Sequence, residues 1–108
     1  MYFLGHQGDV NFFFRAHIPA DAKVREGRVL VLGEATGHAH TVAEADADRA
    51  VIYDLGDQMF LRVTGEGSIA IEHPQHKTVV LAPDEYEIVI AREYTDADAE
   101  ADFRPVVD

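Results

Sequence analysis

Along most of this chain apolar residues occur at every second position or in short runs, broken by Gly, Pro and Asp, and a helical period is nearly absent. That pattern belongs to pleated strands joined by turns rather than to amphipathic helices. It predicts strands at VNFFFRA (10–16), GRVLVLG (27–33), AVIYDLG (50–56), QMFLRVT (58–64), SIAIEH (68–73), KTVVLA (77–82) and YEIVIAREY (86–94), all rich in Val, Ile, Phe or Tyr. Turn signals fall between them: Gly56-Asp57 suits a hairpin, and GEG (65–67), HPQH (73–76) and APDE (82–85) punctuate the second half. In the first strand Phe12, Phe13 and Phe14 are consecutive, so alternation turns Phe13 to the face opposite Phe12 and Phe14.

Two segments rich in Ala and Asp break the pattern. AEADADRA (43–50) reads as an exposed loop, and TDADAEADF reads as one short helix with Thr95 as its N-cap and acids in its first turn. The predicted architecture is all-β, a small barrel or sandwich with at most one short C-terminal helix. The segments form one domain over residues 1–108, with a mobile acidic segment at 95–108.

Composition narrows the function classes. Twenty acidic against nine basic residues leave a net charge of −11, which opposes the phosphate neutralisation behind nucleic-acid affinity, so neither nucleic acid nor an anionic membrane is an expected partner. Without cysteine there is no disulfide framework and no thiolate metal site, so a metal would be held by nitrogen and oxygen. The absence of cysteine, of a signal-like start and of a long apolar run favours a soluble, unprocessed, cytoplasmic protein. The one serine, Ser68, lies in no nucleophile elbow, and Gly65 and Gly67 lack the Lys-Ser/Thr pair of a phosphate loop.

The candidate chemistry is in the histidines. Of His6, His17, His38, His40, His73 and His76, four stand in two tight pairs. On an extended strand positions i and i+2 share a face, so His38 and His40 can converge on one point. His73 closes a strand on the face of Ile69 and Ile71, and His76 follows across Pro74-Gln75. Imidazoles with a carboxylate suit zinc first, with iron, manganese, nickel or copper as alternatives, and Glu44 is the obvious carboxylate. The competing reading makes His73 and His76 ordinary polar residues of a turn, and His6 and His17 exposed or hydrogen-bonded side chains.

The stretch GEATGHAHTVAE (33–44) resembles the first cupin signature through Gly33, His38, His40 and Glu44, with the gap after the glycine one residue short. That resemblance implies one metal inside a small jelly roll. It extends less well to the second half, where no histidine follows the APDE turn. The chain is also similar to a set of short bacterial and phage proteins of unknown activity that carry Q-G-D-V, G-E-x-T-G-H-A-H, H-x-x-H and R-E-Y. Gln7 to Val10, Gly33 to His40, His73 to His76 and Arg92 to Tyr94 match. This second resemblance implies that the two histidine pairs form one site and leaves His17 outside it.

Three functions compete: a small metal-binding β-module using His38, His40, Glu44, His73 and His76; a metal-dependent cupin-like enzyme; and an oligomeric structural or particle-associated β-protein without catalysis. A homo-oligomer is expected in any case, because the Phe-rich first strand has more aromatic surface than a small core hides. No small-molecule ligand is named by the sequence.

Overall fold

The computed structural model of the chain describes residues 2–15, 17–33 and 37–91, which fold into two antiparallel sheets. The larger holds β1 (Tyr2–Gln7), β2 (Val10–Arg15), β3 (Lys23–Arg25), β6 (Ala50–Leu55), β7 (Gln58–Val63) and β10 (Glu85–Ile90), in the order β1-β2-β10-β7-β6-β3. The smaller holds β4 (Val29–Leu32), β5 (Ala39–Val42), β8 (Ile69–Glu72) and β9 (Val79–Leu81), in the order β4-β5-β8-β9. Both sheets are open, so of the two predicted architectures the chain adopts the sandwich.

The core lies between the sheets and follows the period of two. Val10 and Phe12 from β2, Leu61 and Val63 from β7 and Tyr86 and Ile88 from β10 meet Leu30, Val42, Ile69, Ile71 and Leu81 from the smaller sheet. Each such side chain contributes roughly 1.5–3 kcal/mol when fully buried, which makes this layer the main source of stability. Phe13 turns to the opposite face, as alternation requires, and its ring meets that of Phe3 at 5.5 Å. On that outer face Phe60 is fully buried beneath the Arg15 guanidinium, 5.1 Å from the ring centre. Arg15 pairs with Glu87 at 2.5 Å, and Arg62 with Glu85 at 2.7 Å. The Arg62–Glu85 pair is partly exposed and contributes at most about 1 kcal/mol, so it closes the face rather than holds the fold.

The hairpins β1–β2 and β6–β7 use the same two-residue loop, Gly-Asp. Gly8 (φ 59°) and Gly56 (φ 60°) carry the positive φ at the first loop position, and no non-glycine residue among those described has one. That is the II′ pattern, whose twist matches the flanking strands.

Three strands escape the sequence pattern. β1 is interrupted by Gly5 and bulges between Phe3 and Gly5, β3 has three residues, and β5 is a four-residue piece, AHTV, within the histidine stretch. The segment expected to be an exposed loop is instead a 3-10 helix, Glu44–Arg49, which carries the chain from the smaller sheet to the larger. Asp46 organises it by accepting from Arg49 at 2.6 Å and from the Ala70 N–H at 2.9 Å. The helix expected after Thr95, the acidic segment 95–108, and Arg92 and Tyr94 lie outside the described residues. Among the described residues no helix is long and apolar enough to cross a membrane. At the open edge of the larger sheet Tyr2, Phe3 and Leu4 are 74%, 56% and 51% exposed.

Candidate functional site

Strand register brings the histidines together. β5 runs antiparallel to β8 with Thr41 opposite Glu72 and Val42 opposite Ile71, so His40 stands level with His73, the first residue past β8. The His40 and His73 ring centres are 4.4 Å apart. His38, at the mouth of β5, meets His73 edge-on at 5.8 Å, so both members of the H-x-H pair reach the same ring. His76 returns across the Pro74-Gln75 turn to lie 4.6 Å from His73 and 6.4 Å from His40. The four paired histidines therefore form one cluster. His17 stands apart and exposed beyond β2, where its carbonyl accepts from Arg15 at 2.7 Å. His6 is also exposed, with its Nδ1 3.1 Å from the Gly8 carbonyl, which makes that nitrogen the donor.

The lid of the cluster comes from a segment whose chemistry the sequence did not disclose. Gln7, at the end of β1, is 2% exposed, and its Nε2 donates to the Ile71 and Lys77 carbonyls, each at 2.8 Å. Those two bonds fix which way the amide faces, so Oε1 accepts from His40 Nδ1 at 2.9 Å. His40 Nδ1 thus carries the proton, and Nε2 keeps its lone pair. Two residues on, Asp9 places Oδ1 3.9 Å from that Nε2. Gly8 between them passes directly over His76: a Cβ added there would lie 2.8 Å from His76 Nε2.

Glu44, the carboxylate expected from the sequence, lies exposed in the first turn of the 3-10 helix. Among the described residues it is Asp9 that has a carboxylate oxygen within 4 Å of a ring nitrogen of the cluster. No three His, Asp or Glu side chains among the described residues have donor atoms already drawn around one point as a bound ion would require. One reason is visible at His73: its Nδ1 accepts from the Gln75 and His76 N–H groups at 3.0 and 3.3 Å, so the neutral ring carries its proton on Nε2.

Burial and neighbouring imidazoles favour the neutral form of His40 and His73. His40 is pushed down from 6.5 to about 4, first by burial and then by the neighbouring His73, with Asp9 opposing and His76 adding to the fall. His73 is lowered too, first by burial and then by His76 and His38, against Asp9. Neutral imidazole is the form that ligates metals.

A family model matches residues 6–91. The chain belongs to the family described as Domain of unknown function (DUF8820). The DUF8820 match takes in Gln7, Gly8, Asp9 and all four clustered histidines, and ends before Arg92. No curated protein and no solved structure matches the chain.

In this DUF8820 chain Gly8 meets two demands at once, a positive φ and the absence of a Cβ against His76. Gly8→Ala is expected to lower stability by about 1–3 kcal/mol, from the strained backbone and the displaced ring together. Gly56→Ala, with the same φ and nothing within 4 Å, is expected to cost less because it pays only the backbone part. Urea unfolding of both variants measures the difference; equal losses would show that His76 does not press on the turn.

Proposed function

We propose that this domain binds a divalent transition metal ion, zinc in the first place, through the imidazoles of His38, His40, His73 and His76. The observation that carries the reading is the hold of Gln7 on His40. A buried amide that fixes one ring nitrogen as a donor and leaves the other with a free lone pair among further imidazoles is the arrangement by which metal-binding histidines are oriented. Any buried histidine needs one such partner; what marks His40 is that its second nitrogen is turned toward further imidazoles. The ring spacings support it: imidazoles sharing an ion at about 2.1 Å have centres roughly 4.5–6.5 Å apart, and the cluster spans 4.4 to 6.4 Å.

Loading requires His73 to turn its ring, exchanging the two backbone N–H groups for the ion. The role proposed is binding: Gln7 orients His40, and burial favours the neutral, ligating form of its ring.

Titration of the chelator-treated protein with Zn2+, followed by elemental analysis, tests the proposal. About one ion per chain is expected, with His38→Ala and His40→Ala losing at least tenfold in affinity and His17→Ala unchanged. Binding should weaken as pH falls from about 6 toward 4, where protons compete for the lone pairs of His40 and His73, both held below the usual imidazole range. No Zn2+ uptake, or uptake unaffected by His40→Ala, would overturn the assignment.

A further inference from the structure

We infer that Asp9, delivered by the β1–β2 turn, is the carboxylate ligand of this site. The inference rests on the metal-binding reading and goes beyond it by naming the oxygen donor and the segment that supplies it. In a chain with 20 acidic residues a carboxylate near a histidine is common, so position and support must decide.

Position favours Asp9. An oxygen and a nitrogen bound to one ion at about 2.1 Å stand roughly 3–4 Å apart. Asp9 Oδ1 lies 3.9 Å from the His40 nitrogen that Gln7 leaves with its lone pair. Glu44 is on the wrong side of the register. His40 is level with His73, and the chain then runs away along β5, past Val42 opposite Ile71, to Ala43, whose N–H bonds the Ala70 carbonyl at 2.9 Å. Glu44 follows at the Ala70 end of β8, and four residues of extended chain cover about 13 Å.

Support favours Asp9 as well. The three hydrogen bonds of Gln7 anchor the residue two before it, and the Asp9 carbonyl itself accepts from the Ala91 N–H at 2.7 Å. The turn is thereby tied on both sides while the carboxylate faces the rings. Its side chain is 47% exposed, which leaves room for the small movement that closes 3.9 Å to a shared ion. One carboxylate among neutral imidazoles leaves a bound divalent ion a net charge of about +1, a donor set that suits zinc or another borderline metal.

Zn2+ titration of the chelator-treated full chain, repeated with Co2+ so that the visible absorption reports the ligand set, distinguishes the possibilities. Asp9→Asn keeps the size and turn preference of the residue and is expected to lower Zn2+ affinity at least tenfold and alter the Co2+ spectrum. Asp9→Glu should recover part of the affinity, and Glu44→Gln should stay within about twofold of the parent. Circular dichroism checks that each variant is folded. His40→Ala losing the metal while Asp9→Asn keeps it would overturn the role of Asp9 and leave the histidine site standing. A parent protein that takes up no Zn2+ would overturn both. Loss in Glu44→Gln with none in Asp9→Asn would return the carboxylate to Glu44.

Discussion

Gln7→Leu lowers the stability of the metal-free protein by about 3 kcal/mol and its melting temperature by roughly 10 °C or more. Leucine matches glutamine in size and sits readily in an apolar site, so packing changes little. What changes is that the Ile71 and Lys77 carbonyls lose their donor and the buried His40 Nδ1–H loses its acceptor. A buried polar group stripped of its partner costs about 1–3 kcal/mol, and His40 at 3% exposure cannot recover the loss from water. Gln7→Glu should be worse at neutral pH: it keeps an acceptor for His40 but sets carboxylate oxygen against two carbonyls. Scanning calorimetry of the chelator-treated proteins measures both. A shift below about 3 °C for Gln7→Leu would mean that the amide is not held as described.

Acid should unfold the metal-free protein through His40. Its folded pKa, about 4, lies below the unfolded value of 6.5, so above pH 6.5 both states are neutral and the full contribution is present. As pH falls from 6.5 toward 4 the unfolded chain takes a proton that the folded chain refuses, and stability drops by roughly 3 kcal/mol over that window. His73, also lowered, acts in the same direction. Glu85, held below its usual value by Arg62 and the Ile18 N–H against the effect of its own burial, removes further stability nearer pH 4. Urea midpoints between pH 7.5 and 4.5 should fall steeply in the parent and in His17→Ala, and less steeply in His40→Ala. A parent whose midpoint is flat from pH 7 to 5 would refute the buried neutral state of His40.

The residues with chemistry were more legible than the segment that organises them. The short apolar runs in VNFFFR, QMFLRV and EYEIVI, rich in aromatic and branched residues, announce strands because each lines a buried layer, and the burial of Phe12, Leu61 and Ile88 bears this out. The spacing of His38 and His40 was readable for a related reason, since two residues apart on extended chain is a statement about direction. The place of Glu44 was not readable in that way. Its position depends on Asp46 holding the 3-10 helix against Ala70, a contact made across 24 residues. Gln7 and Asp9 went unread as site residues because QGDV is a complete account of a II′ turn by itself. Only the pairing of β1 and β2 carries that turn over His40 and His76. Q-G-D-V recurring together with the histidine segments was the available signal.

The position of Gln7 also determines how solvent reaches the cluster. β1 is an edge strand with a single neighbour and exposed side chains at Tyr2, Phe3 and Leu4, so little holds it beyond its ladder to β2 and the bonds of Gln7. Those bonds join residues 64 and 70 positions apart, whereas the β1–β2 hairpin closes through two residues. Partial opening of such an element takes less free energy than global unfolding, and here it is expected to lift the amide from His40 while the core between the sheets stays shut. Hydrogen exchange at the histidines, and exchange of the ion proposed to bind there, would then share one clock, the fraying of the first strand.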